Sequence, residues 1–144
     1  MELNFPHTKF GLTALKAAAL CARGVEPADA WRSAAISVFP DAPENQKKGC
    51  PKSAFLGLAE AGHIAGVLPG KYTNSLDNKR YAIEALRLLQ KEPNLSGQPE
   101  ELWRRVNRGE GTKHNQQMHV VISLWQEGKY VCQQKAARPR LVEF

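Results

Sequence analysis

Pro27, Pro51 and Pro99 each stand just ahead of an apolar stripe at helical spacing, and Gly24, Gly62 and Gly128 each stand just behind one. Proline is tolerated in the first turn of a helix, where a backbone N–H has no intrahelical acceptor anyway. Glycine closes the last turn because it takes the left-handed conformation without a Cβ clash. This punctuation cuts the chain into short helices. It predicts an all-α fold of about six helices in one compact domain over residues 1–144.

Thr8 to Arg23 reads as the first helix, with Leu12, Leu15 and Ala19 on its inner face. The second starts at Pro27, carries Trp31, Ala34, Ala35 and Val38, and stops at Pro40. Asp41 to Gly49 reads as a polar loop. The third helix, Pro51 to Ala61, turns Phe55, Leu58 and Ala59 inward. After a loop from Val67 to Asn74, Ser75 or Asp77 caps a fourth helix running to about Lys91 with the stripe Ala82, Ala85, Leu86 and Leu89. Pro93 to Gly97 breaks it, and Pro99 starts a fifth with Leu102, Trp103 and Val106. Asn107 to Gly111 reads as a flexible loop. The sixth helix spans about Lys113 to Glu127, with Met118, Val121, Ile122 and Trp125 inward. In the tail, Tyr130-Val131-Cys132 is the one candidate strand.

The two halves repeat. Trp31 follows Pro27 by four residues, as Trp103 follows Pro99. Gly62 follows Phe55 by seven, as Gly128 follows Val121. The expected organisation is therefore a tandem of two similar three-helix units, residues 8–66 and 75–130, with a tail over 131–144.

Charge is unevenly placed. The chain carries net +6, and residues 46–80 hold Lys47, Lys48, Lys52, Lys71, Lys79 and Arg80 against only Glu60 and Asp77. Within that segment the loop before Pro51 joins two lysines, the Cys50 thiol and Lys52 to a helix start. The first N–H groups of a helix are unpaired and its dipole is positive there, so this stretch attracts anions. If the halves pack about a pseudo-two-fold axis, the start of the sixth helix adds Lys113, His114, Asn115 and Gln116 to the same cleft. The plainer and preferred reading is that Asn115 caps its own helix and Gln116 is solvated.

The best functional reading is a non-enzymatic binding module that contacts nucleic acid or another polyanion through this basic surface. The alternative is an adaptor or inhibitor docking on an acidic surface of a larger protein, a nucleic-acid-handling one among the candidates. A thiol enzyme using Cys50 is a third class; it needs a base, and nothing local places His63, His114 or His119 beside the thiol. The same charge also fits a plain solvated surface.

Several chemistries have no signal. Cys21, Cys50 and Cys132 form no C-x-x-C pair, and Cys21 reads as a small buried hydrophobe. His114 and His119 are five apart, off one helical face, so no metal is expected. His7 lies near the terminus and carries no signal. Neither G-x-x-x-x-G-K-[ST] nor G-x-G-x-x-G occurs, and no cofactor is expected. Glu100 and Glu101 suit the helix dipole, and the tryptophans read as core. The opening residues lack a basic n-region and an apolar h-region, and no apolar run can span a bilayer, so a cytoplasmic protein without membrane contact is expected. The oligomeric state is open.

Lys47-Lys48-Gly49-Cys50-Pro51-Lys52 with Phe55-Leu56-Gly57-Leu58, then Tyr72-Thr73, Asn78, Tyr81-Ala82, Leu102-Trp103, Lys113-His114-Asn115, Gln117-Met118 and Leu124-Trp125 carry a resemblance. In these the chain resembles a family of small bacterial all-helical proteins of uncharacterised function, from the first helix to about Tyr130. The resemblance implies one self-contained domain and brings no activity, cofactor or catalytic residue.

Overall fold

The computed structural model of the protein describes residues 3–108 and 113–132. Six longer helices are found there: α1 (Lys9–Ala22), α2 (Pro27–Val38), α4 (Gly49–Glu60), α5 (Leu76–Lys91), α6 (Pro99–Asn107) and α7 (Gln117–Gln126). A one-turn helix, α3 (Pro43–Gln46), lies between α2 and α4, and a 3-10 turn (Pro93–Gly97) precedes α6. No strand occurs among the described residues.

Most helix ends follow local chemistry. The Thr8 hydroxyl accepts the Gly11 N–H at 3.1 Å, the Glu26 carboxylate accepts that of Asp29 at 3.0 Å, and the Ser75 hydroxyl accepts that of Asn78 at 3.3 Å. Gly24, Gly62 and Gly128 close α1, α4 and α7 with φ of 97°, 88° and 67°.

Five details differ from the sequence expectation. The polar loop after Pro40 contains α3, steadied by the Gln46 amide donating to the Phe39 carbonyl at 2.6 Å. Helix α4 begins at Gly49, two residues ahead of Pro51. A proline in the third position still lies in the first turn and breaks no helical bond. Helix α7 begins at Gln117, not Lys113, because Gln116 takes a left-handed φ of 75°. Tyr130 to Cys132 forms no strand; instead the Val131 N–H donates to the His63 carbonyl at 2.8 Å, and the His63 ring Nδ1 bonds the Val131 carbonyl at 2.9 Å. Asn107 belongs to α6 and Arg108 is left-handed, so of the expected loop only 109–111 remain, and they lie outside the described residues, as does the tail beyond Cys132.

The helices of the two halves interleave. α1 is flanked by α2 and α7, while α4 packs mainly on α5 and α7. Being covered on two sides, α1 buries a wide arc of Phe10, Ala14, Leu15, Ala17, Ala18 and Cys21, and Ala19, expected inside, faces solvent. Two glycines allow the cross-half contacts. A Cβ on Gly57 would lie 2.5 Å from the Lys79 Cα, and one on Gly11 would lie 2.1 Å from the Ser123 hydroxyl oxygen. The core joins Trp31 to Phe55 and Tyr81 to Trp103, with ring centroids 5.5 and 4.8 Å apart. Trp125 is only partly buried. Cys21 is sealed in the core, and burial, helped by the Glu26 charge, raises its thiol to about 11.

Two carboxylates tie down the segments that enter α5 and α1. Glu60 ends α4 and accepts the backbone N–H groups of Tyr72 at 2.7 Å and Thr73 at 3.0 Å, and the Lys79 ammonium at 2.8 Å. Burial alone would raise its carboxyl; the bonds from Lys79, Thr73 and Tyr72 outweigh that and hold it at about 2. Glu127, just past α7, accepts the N–H groups of Asn4 at 3.0 Å and Phe5 at 3.1 Å, and lies 2.7 Å from His7 Nε2. The His7 bond is the main cause of the lowered Glu127 carboxyl pKa, working against burial. His7, unremarkable in sequence, has a fully buried side chain whose Nδ1 meets the Ser123 hydroxyl at 2.8 Å.

Candidate functional site

Three helix starts open on one cleft of about 600 Å³. Cys50 comes from the first turn of α4. Ser75, Asp77, Asn78 and Tyr81 come from the start of α5. Lys113, His114, Asn115 and Gln117 come from the segment that enters α7. Residues from the starts of α4, α5 and α7, the positive ends of three helix dipoles, therefore share this cleft.

A chain of amides holds the floor. The Gln117 side chain, 1% exposed, donates through Nε2 to Asn78 Oδ1 at 3.0 Å and accepts the Asn115 N–H at 2.6 Å. Asn78 Nδ2 donates to the Ser75 hydroxyl at 3.0 Å. Fixing the Asn115 N–H on Gln117 bends the backbone away from a helical path, which is why α7 starts late. Asn115 is accordingly no cap.

His114 sits beside this chain. Its Nε2 accepts the Met118 N–H at 3.0 Å, so that nitrogen carries no proton. Its ring lies 5.3 Å from Trp103 and 5.2 Å from His119, and its Nδ1 is 3.9 Å from a Glu100 oxygen. Burial first, then His119, lowers the His114 pKa against the opposing pull of Glu100. Burial likewise lowers that of His119. The two rings meet because His114 precedes the helix, so helical spacing does not apply. No group of three His, Cys, Asp or Glu side chains suited to a metal occurs among the described residues. With Nε2 engaged by Met118, His114 does not offer Cys50 the free base that thiol chemistry requires.

The sequence candidates separate into groups. Cys50, Lys113, His114 and Asn115 line the cleft. Lys47 is exposed, and Lys48 and Lys52 are half-buried, around the α4 start outside the lining. Gln116 occupies the N-cap position of α7 with no side-chain cap bond. Lys79 is engaged by Glu60, and Lys71 donates to the Thr73 carbonyl and to Asn74 Oδ1. The Arg80 guanidinium lies 4.9 Å over the Tyr81 ring. These three are apart from the cleft lining. Ser75, Asp77, Asn78, Tyr81 and Gln117 were not expected as site residues. Only the cap reading of Ser75 and Asp77 pointed to the α5 start, and Gln117 has no local signal because its partner is 39 residues away.

A family model described as a family of unknown function matches residues 7–131. The chain belongs to DUF6979. The matched span of this DUF6979 protein includes every residue of the cleft. No curated protein and no solved structure matches the DUF6979 chain. No helix among its described residues is long and apolar enough to cross a membrane.

Proposed function

We propose that this DUF6979 protein is a non-enzymatic binding module for nucleic acid or another polyanion, seated at the three helix starts. The carrying observation is the convergence of α4, α5 and α7 on one cleft. Lys113 on the cleft, and Lys47, Lys48 and Lys52 beside it, pair with no carboxylate among the described residues, so their charge is available to a partner. Phosphate contact without base reading fits this set.

The tandem organisation, residues 8–66 and 75–130, belongs to the same reading. Its support is positional. Glu60 and Glu127 are 67 residues apart, and each accepts two successive backbone N–H groups from a segment leading into a helix. The caps of those helices, Thr8 and Ser75, are also 67 apart. A superposition of residues 8–64 on 78–130 that fails to align Trp31 with Trp103 would sink it.

The binding test is a titration of a labelled oligonucleotide across salt concentrations. Replacing Lys47, Lys48 and Lys52 together with glutamine weakens binding and flattens the salt slope, by about 0.9 per lost duplex phosphate contact and about 0.7 on single strands. Absence of wild-type binding in low salt ends the nucleic-acid reading. Docking on an acidic protein surface then takes its place, favoured by the α5 face where Leu76, 70% exposed, adjoins Lys79 and Arg80.

A further inference from the structure

We infer that the cleft is a seat for a terminal phosphate, a phosphomonoester, rather than a track for internal phosphodiesters; this rests on the anion-binding reading above. The deciding residue is Tyr81. It is 3% exposed, it lines the cleft, and its hydroxyl makes no hydrogen bond among the described residues. A buried tyrosine hydroxyl ordinarily finds a partner. The one sealed side-chain nitrogen or oxygen left unpartnered among the described residues is Trp31 Nε1. The Tyr81 hydroxyl is therefore not sealed, and the little exposure Tyr81 has includes it.

Its neighbours on the floor are already bonded to one another. The Gln117 amide is engaged at both ends by Asn115 and Asn78, and the Asn78 amide by Gln117 and Ser75. A ligand that reaches the floor thus meets the unpartnered Tyr81 phenol, on a lining that also includes Lys113, Asn115 and residues from three helix starts. A phosphomonoester matches this. It carries about −1.5 to −2 charge near neutral pH and three terminal oxygens, more of both than a diester. The cleft volume of about 600 Å³ is that of a small-ligand site. Asp77, on the same lining, repels the phosphate and accepts from hydroxyl groups on the rest of the ligand, which fits a sugar phosphate.

The ligand has two possible sources, a free mononucleotide or the phosphorylated 5′ end of a strand. Calorimetric titration with adenosine 5′-monophosphate, adenosine, and one short single strand with and without its 5′ phosphate separates them. Each phosphorylated probe that enters the site binds on the order of tenfold or more tightly than its dephosphorylated counterpart. A preference seen with the strand alone assigns the strand end, and one shared by the mononucleotide assigns the free nucleotide. Tyr81→Phe keeps the ring against Trp103 and reduces the preference on the order of tenfold with an unchanged melting temperature. Asn115→Ala, away from the core, reduces it too. Equal binding of the two strands overturns the phosphomonoester seat and leaves polyanion binding standing. An unchanged preference in both variants also overturns it. No binding of any probe in low salt ends both readings.

Discussion

Replacing Gly57 with alanine tests the packing of α4 on α5. The added Cβ would lie 2.5 Å from the Lys79 Cα and 2.8 Å from its Cβ. Comfortable carbon contacts are about 3.5–4.0 Å, so the helices must part by about 1 Å. The first atom met is backbone, and no rotamer change relieves it. Overpacking of this kind costs roughly 1–3 kcal/mol. The shift also drags Lys79 from Glu60, which it now reaches at 2.8 Å, weakening a charge-assisted bond worth about 1.5–3 kcal/mol. Alanine returns about 1 kcal/mol of helix propensity. The net is a loss of roughly 1–3 kcal/mol, about 3–4 °C of melting temperature for each kcal/mol. Gly49 in the same helix supplies the control. A Cβ there meets nothing within 4 Å, so Gly49→Ala gains about 0.4–1 kcal/mol. Urea unfolding followed by far-UV circular dichroism reads both. Gly57→Ala as stable as Gly49→Ala would refute the close approach.

Glu60→Gln removes the carboxylate that holds the α5 approach and costs about 1–3 kcal/mol at neutral pH. Because the folded carboxyl titrates at about 2 and the unfolded one near 4.5, this stability is complete above 4.5 and fades as pH falls toward 2. Wild type and variant should therefore converge in acid unfolding curves; a gap that persists at pH 2 counts against the assignment. For His114 the folded pKa is lowered from 6.5, so the unfolded chain binds more protons and stability falls as pH drops below 6.5. Protonation at Nε2 also forfeits the Met118 bond, so Met118 amide hydrogen exchange should quicken in mild acid, and an exchange rate explained by base catalysis alone would contradict this. Asn78→Ala leaves the buried Gln117 amide donor without its acceptor and costs about 1–3 kcal/mol by thermal melting. A neutral result would mean that Gln117 finds another partner.

What could be read from the chain was local. Thr8 and Ser75 mark helix starts through hydroxyl caps that reach three residues on, Pro27 marks one through its fixed φ, and the stripe of Ala82, Ala85, Leu86 and Leu89 is buried as its spacing predicts. The positive segment drew attention to the α4 start, which contributes Cys50 to the cleft. The rest depended on partners far along the chain. Gln117 holds the Asn115 N–H ahead of α7 while its own amide is anchored on Asn78, 39 residues away, and His7 is buried by Glu127, 120 residues on. Ala19 was misplaced because a stripe gives the centre of a helix face only when one neighbour covers it, and α1 has two. Half of the cleft, from Cys50 to the segment before α7, was anticipated as a meeting of two helix starts. The α5 contribution was not, since Asn78 and Tyr81 reveal their role only once α4 and α7 are in place.

The grip of Glu127 on Asn4, 123 residues earlier, brings opposite ends of the described chain together. During synthesis α1 can settle on α2 at once, yet its second face stays bare until α7 has been made, because the partner does not exist before then. That leaves apolar surface on a nascent chain for most of its translation. A circular permutant joining the ends with a short linker, and opened in the exposed turn between α2 and α3, would make α1 and α7 sequence neighbours. The longest-range pairing would become a local one, and folding should quicken as contact order falls.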